Sequence, residues 1–208
     1  MGAAVTRPPW HGASRSTWWG GVALAALVAG AATAGALARR QLYRVEVAGG
    51  SMHPALQPGD WLLLRRGAPP TGPGAGARAH AFGLVVTARD RSGRLLLKRI
   101  VGLPGESLRV GPAVQVNGRE LIEPYASGDA PTASYRGVSR LDADELFLLG
   151  DRRDASTDSR ELGPLPISTV EGVVLARYWP PRRIGLLRRP ERHWAAKRVA
   201  EDGDAPDG

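Results

Sequence analysis

Ser51 follows two glycines directly, in Gly49-Gly50-Ser51-Met52-His53-Pro54-Ala55-Leu56-Gln57-Pro58-Gly59-Asp60. Glycine permits a tight backbone path and leaves room for another chain to approach. Such a turn can aim a hydroxyl and its own N–H at one point. The same string also reads as an ordinary loop. Lys98 stands in a different setting, Arg94-Leu95-Leu96-Leu97-Lys98-Arg99-Ile100-Val101. Strand alternation puts Leu96, Lys98 and Ile100 on one face and Leu95, Leu97 and Arg99 on the other. Of the 28 Lys and Arg side chains, lysine occurs at positions 98 and 197 alone. Arginine thus serves wherever a plain positive charge suffices, and a lysine between apolar neighbours calls for a reason. Arginine keeps its proton in a protein, whereas a buried lysine can lose it. Burial lowers a lysine from about 10.4 by several units, which leaves it neutral near about pH 7–8 and able to take a proton from serine. The plainer alternative is a strand-edge lysine that snorkels to water.

A third constellation is Phe147-Leu148-Leu149-Gly150-Asp151-Arg152-Arg153-Asp154-Ala155-Ser156-Thr157-Asp158-Ser159-Arg160-Glu161-Leu162-Gly163. Three aspartates and three arginines crowd a loop that follows an apolar run. It reads either as a solvated turn with surface ion pairs of little worth or as a rigid, ion-paired loop that presents a small hydroxyl to the base. No cysteine is present, which excludes disulfides, thiol catalysis and cysteine metal sites. His11, His53, His80 and His193 lie far apart and none has the i, i+4 spacing of a helical metal pair, so neither a metal nor another cofactor is implied. A Ser-His-Asp triad would need His53 to fold back on Ser51 through a special turn.

The elements that must position these residues are short. From Thr17 to Ala38 the chain reads TWWGGVALAALVAGAATAGALA, 22 residues without a charge. That length crosses a hydrocarbon core of about 30 Å as a helix, and Trp18 and Trp19 suit an interface. A cleaved signal peptide fits the same segment, because Ala34-Gly35-Ala36 and Ala36-Leu37-Ala38 both match a small-residue cleavage pattern. Arginines flank it on both sides, so charge leaves the orientation open. Beyond residue 40, apolar runs, most of them four to ten residues long, alternate with Gly and Pro: Tyr43–Val47, Trp61–Leu64, Gly83–Ala88, Leu95–Val101, Ser107–Val110, Val114–Val116, Glu145–Leu149 and Val170–Trp179. This pattern predicts a mostly β domain of many short strands. The expected organisation is a tail over 1–16, an anchor over 17–38, a β domain over 41–187 and a charged, disordered tail over 188–208. Residues 67–81 and 123–143 read as irregular excursions. The net charge of +8 points to an anionic membrane surface; nucleic acid is disfavoured, because no helix-turn-helix, zinc-finger or aromatic RNA-binding signature is found.

In this order the motifs resemble the type I signal peptidases, a family of serine–lysine proteases. The matching strings are Ser-Met-x-Pro-x-Leu with Gly-Asp behind it (51–60), Lys-Arg-x-x-Gly-x-Pro-Gly (98–105), Gly-Asp-x-x-x-x-Ser-x-Asp-Ser-Arg-x-x-Gly (150–163) and Arg177-Tyr178-Trp179-Pro180. Val116-Asn117-Gly118-Arg119 through Glu123-Pro124-Tyr125 is similar to that family's inserted β region, here about 106–145. The resemblance implies a signal-peptidase-type β-fold of short antiparallel strands preceded by one N-terminal transmembrane helix. It implies a single-pass protein of the cytoplasmic membrane with its catalytic domain outside, preprotein signal peptides as substrates and membrane lipid as neighbour. By the same resemblance Ser51 is the nucleophile, its backbone N–H the oxyanion donor, Lys98 the general base and Ser156 the serine that orients the lysine. Arg99 would pair with Asp151 and Asp158 with Arg160. Met52, Leu56 and Leu97 would line a shallow pocket for the Ala-x-Ala preference, and Leu95 to Leu97 would supply backbone hydrogen bonds to an added substrate strand.

Two positions depart from the family pattern. Some members carry Ser or Thr two residues before the nucleophile as an oxyanion donor; here Gly49 has no side chain, and loss of one donor costs about 10²–10³ in rate. The residue after Gly150-Asp151 is often Asn in the family and is Arg152 here. A dedicated propeptide-maturation protease of the same family fits the motifs equally. Self-cleaving serine–lysine repressors would need a DNA-binding helical domain in place of residues 1–40. A non-catalytic membrane-bound binding protein would have no use for Ser51, Lys98 and Ser156 together.

Overall fold

The computed structural model describes residues 28–30, 41–71, 80–129 and 136–196. The chain divides into two compact units, Met1–Gln41 and Leu42–Gly208. In the first, residues 28–30 are helical; the rest of the span predicted over 17–38 lies outside the described residues. Among the described residues no helix is long and apolar enough to cross a membrane.

The second unit is mostly β. Its strands are β1 (Leu42–Glu46), β2 (Trp61–Arg66), β3 (Val85–Arg89), β4 (Leu95–Gly102), β5 (Ser107–Val110), β6 (Val114–Val116), β7 (Arg119–Ile122), β8 (Arg136–Arg140), β9 (Glu145–Leu149), β10 (Leu165–Pro166), β11 (Val170–Trp179), β12 (Gly185–Leu186) and β13 (His193–Trp194), and a short helix, α1 (Ser159–Leu162), lies between β9 and β10. They form an antiparallel sheet in the order β1-β2-β11-β3-β4-β9-β10, with β12 also on β11, and a second sheet β13-β7-β6-β5-β8. The apolar runs read from the sequence coincide with β1–β6, β9 and β11 to within about two residues, as alternation and β-branching lead one to expect.

The first sheet coils strongly. β2 and β11 separate β1 from β3, yet Tyr43 of β1 reaches Thr87 of β3 with its hydroxyl, 2.6 Å from Oγ1. One aliphatic cluster lies inside this curl and is built on Met52, Leu56, Leu62, Leu64, Val85 and Val174. The larger cluster fills the space toward the second sheet, around Ile100, Leu108, Val116, Leu146 and Leu148. β9 joins β4 from Arg99 onward, so among the described residues Leu95 to Lys98 have no strand on that side.

Two expectations need correction. The excursion predicted as irregular over 123–143 contains β8, which pairs with β5. The tail predicted as disordered from 188 contains β13 (His193–Trp194). β13 pairs with β7, and Arg192 spans Glu106 (Nη2–Oε2 2.8 Å) while its guanidinium lies 4.4 Å from the centre of the Phe82 ring. Charge density reads as solvation in a sequence, but here Arg192 has its partner in a distant segment.

Candidate active site

The serine turn is held from inside. Met52 and Leu56, on either side of a cis His53–Pro54 peptide, are 1% and 0% exposed and plug the aliphatic cluster. Asp60 closes the turn. Its backbone carbonyl accepts Val47 N–H (2.9 Å), and its carboxylate accepts Gln57 N–H (2.9 Å). The same buried carboxylate pairs with Arg177 at 3.3 Å and Arg183 at 3.1 Å, and Arg177 also donates to the Ala55 carbonyl.

Lys98 comes from the middle of β4. Its cross-strand neighbour is Val86, and Leu96 and Ile100 flank it on the same face, all three buried. Lys98 is itself 4% exposed, and its Nζ donates to Ser51 Oγ at 2.7 Å. Burial lowers its pKa to about 8, against the opposing pull of the Asp158 carboxylate; Arg94 and Arg160 push the same way as burial. The residue is therefore no strand-edge lysine reaching for water. His53 is exposed, and the partner of the Ser51 hydroxyl is Lys98.

The loop after β9 packs against both groups. Arg152 N–H donates to the Ser51 carbonyl at 3.0 Å. Gly150 lies where no side chain fits: a Cβ there would overlap the Ser156 hydroxyl and stand 2.7 Å from the Ser51 carbonyl oxygen. Arg99 grips Asp151 with two hydrogen bonds of 2.7 and 2.6 Å. Asp158 receives Gly150 N–H (2.9 Å), two hydrogen bonds from the Arg160 guanidinium (2.8 and 2.9 Å) and the Arg160 N–H that caps α1. Burial alone would raise its carboxyl, but these donors outweigh burial and hold it below the usual carboxylate range.

Ser156 is placed differently from its expected role. Its hydroxyl donates to Asp158 Oδ2 at 2.7 Å, and among the described residues the hydrogen-bond partner of Lys98 is Ser51. A fully buried carboxylate is a stronger acceptor than an amine, which accounts for the choice. Asp158 thus accepts from Ser156 and acts on the lysine through its charge, a role that motif spacing did not reveal.

Ser51 and Lys98 open onto a cleft of about 340 Å³ between residues 45–49 and β4. Met52, Leu95 and Leu97 line it, together with Val45 and Thr87. Leu56 does not; it sits behind the wall because the turn directs it into the aliphatic cluster beside Met52. Among the described residues no hydrogen bond takes the Ser51 N–H, and the space beside Gly49 is open, with nothing within 4 Å of where a Cβ would stand. Sequence reasoning also missed Asp60, Glu123 and Arg153. The last two form a buried bidentate pair, 2.7 Å on each arm, that ties the loop to the segment before Ser127. Their separation of 30 residues leaves no periodic signal.

Comparison with known proteins points one way. The family model for "Signal peptidase, peptidase S26" matches residues 18–179. A probable signal peptidase I-2 of Synechocystis sp. is 41% identical over 92 residues, covering 44% of this chain and 41% of that one. Signal peptidase I of Leptolyngbya laminosa is 38% identical over 95 residues, covering 45% and 46%. The chain therefore spans less than half the length of these two relatives. Signal peptidase I of Bacillus caldolyticus is 31% identical over 147 residues, covering 64% of this chain and 78% of its own. A crystal structure of a signal peptidase I from Enterococcus faecalis V583 aligns with a TM-score of 0.39 at 27% identity, over 44% of this chain and 93% of that one. The chain belongs to the signal peptidase family, peptidase S26.

Proposed function

We propose that this protein is a membrane-anchored serine endopeptidase that removes signal peptides from exported preproteins after Ala-x-Ala-like sites, its catalytic unit on the outer side of the cytoplasmic membrane. The observation that carries this reading is the 2.7 Å contact between Ser51 Oγ and a buried Lys98 Nζ. When Lys98 is neutral the hydrogen bond reverses, and the Ser51 hydroxyl donates to the amine lone pair. Lys98 takes that proton as Oγ attacks the scissile carbonyl carbon. The oxyanion that forms meets the free Ser51 N–H, with open space rather than a hydroxyl at Gly49. Collapse breaks the C–N bond, and the lysine ammonium returns its proton to the leaving amine. Water then attacks the acyl-serine, giving its proton to Lys98; the bond from the acyl carbon to Oγ breaks, the lysine ammonium returns the proton to Ser51 Oγ, and the product with the new carboxyl terminus departs.

Substrate would enter as an added strand on the unpaired edge of β4 at Leu95 to Lys98. Ser156 and Asp158 would fix the field around the lysine, with Arg99–Asp151 and Asp158–Arg160 holding the loop. The test uses the full chain in detergent or vesicles with a preprotein bearing an Ala-x-Ala site. Wild type should yield one cut product; Ser51→Ala and Lys98→Met should lose at least about 10³-fold in kcat. Because the neutral amine is the active form, kcat/KM should rise with pH through about 8 and level off above it. Cleavage by a folded Lys98→Met at the wild-type rate would sink the assignment.

A further inference from the structure

β9 occupies the edge of β4 from Arg99 onward, so a chain lying along Leu95 to Lys98 must leave the sheet once it has passed the nucleophile. The turn that carries Ser51 runs on to Ala55, which borders a second groove of about 400 Å³ that shares no residue with the cleft. Ala55 is four residues from Ser51, so the groove begins within about 14 Å of the nucleophile, the reach of about four extended residues. One wall is Pro124 and Tyr125, and the other is the segment from Leu186 to Pro190. The first wall is tied to the nucleophile turn: the Arg99 guanidinium lies 4.5 Å from the centre of the Tyr125 ring, and the Ser127 hydroxyl donates to the His53 carbonyl at 3.0 Å. The charges of the groove have one sign. Arg99, Arg177 and Arg188 line it, and no acidic residue does. Asp151 matches the charge of Arg99. Arg177 and Arg183 share the single Asp60 carboxylate, where one guanidinium would neutralise it. Arg188 is exposed and has no carboxylate partner among the described residues. Positive charge is thus left over in a groove whose remaining walls are mostly apolar.

We propose that this groove receives the first residues of the mature chain beyond the cut and favours acidic side chains among them. This inference rests on the peptidase reading given above. An extended chain leaving Ser51 brings about its third and fourth residues to the groove. There an Asp or Glu side chain meets the guanidiniums of Arg177 and Arg188, while Leu186, Leu187 and Pro124 cover the aliphatic part of the chain. A lysine at the same place meets like charge. The contact lies away from the reacting atoms and is made before the cut, so it acts on substrate capture and not on the chemical step.

The experiment compares kcat/KM, in neutral detergent at low salt, for preproteins that differ only at the third and fourth residues after the cut, where they carry Glu, Gln or Lys. Wild type should cut the Glu substrate about tenfold better than the Lys substrate, mainly through KM, and about 0.5 M salt should shrink that ratio. Arg188→Gln should reduce the Glu-to-Lys ratio to about threefold, and Arg188→Glu to about one or below. Arg188→Lys, which keeps the charge, should retain the wild-type ratio. Each ratio is taken within one enzyme, so an inactive fraction cancels. Equal kcat/KM for the Glu and Lys substrates in wild type, or a ratio unmoved by Arg188→Glu, would overturn the groove and leave the peptidase reading standing. An Arg188→Gln that loosens binding to phosphatidylglycerol vesicles and leaves the ratio alone would overturn it too, and would give the groove to lipid. Failure of wild type to cut any of the three substrates would instead remove the reading on which the inference rests.

Discussion

The turn that carries Ser51 and the loop that faces it across Lys98 are held by different physics. The turn is anchored by two buried apolar side chains and one carboxylate, Asp60, whose arginines, Arg177 and Arg183, keep partial contact with water at 18% and 26% side-chain exposure. The loop is anchored by three ion pairs with almost no exposure, Arg99–Asp151, Arg153–Glu123 and Arg160–Asp158. A nucleophile needs to be held in place, and packing does that. A base needs its field controlled as well. Asp158 and Asp151 raise the lysine while Arg94 and Arg160 lower it, and burial, the largest influence, brings the pKa to about 8. The contrast predicts that damage to the loop shifts the pH profile, whereas damage to the turn does not.

The largest effect is expected at Asp158. Replacing it with Asn keeps the size but leaves the Arg160 guanidinium buried without its countercharge. Breaking a buried pair in this way costs about 3–5 kcal/mol, readable as a lower denaturant midpoint. The same change removes the leading influence that raises Lys98 and leaves Arg160, which lowers it. The activity midpoint should therefore move below about 8, toward acid. A folded Asp158→Asn with an unmoved midpoint would break the proposed division of labour.

How much of this was legible beforehand follows the same division. Alternation and turn residues located the strands that carry Lys98 and support Ser51, because those signals are local. Usage of lysine against arginine marked Lys98 as unusual, and its burial on β4 bears out the local reading of its face. The charged loop after β9 was ambiguous from its residues alone, since buried and solvated ion pairs have the same composition. The partners that bury it, Glu123 and Arg99, lie 30 and 52 positions away from Arg153 and Asp151. Asp60 meets Arg177 across 117 positions, and Thr87 meets Tyr43 across 44. Contacts of that range follow from the coil of the first sheet and leave no period in the sequence. The direction of the Ser156 hydroxyl was missed for a related reason: a motif supplies residue types at a spacing, but not which of two nearby acceptors wins.

A smaller effect is expected at Asp60. Asp60→Asn retains an acceptor for the Gln57 N–H, and Arg177 and Arg183 can turn toward water, so the loss should be about 1–3 kcal/mol. Activity should fall through looser placement of Ser51, seen in kcat, while the midpoint stays near 8 because Asp60 is not among the groups that act on Lys98. A shifted midpoint in this variant would show that the turn, too, shapes the field of the base.

The smallest effect is expected inside the loop itself, at the departure Arg152. Its guanidinium reaches Asp154 at 3.3 Å with both side chains close to half exposed, so water replaces the pair at little cost. What ties Arg152 to the nucleophile is its backbone N–H on the Ser51 carbonyl, which any non-proline residue supplies. Arg152→Asn should therefore fold normally, keep kcat/KM within about twofold and keep the pH midpoint. Arg152→Pro, which deletes that N–H, should lower kcat far more than Arg152→Asn does. Equal losses in the two variants would assign a role to the guanidinium and dissolve the distinction between the buried pairs of this loop and its exposed one.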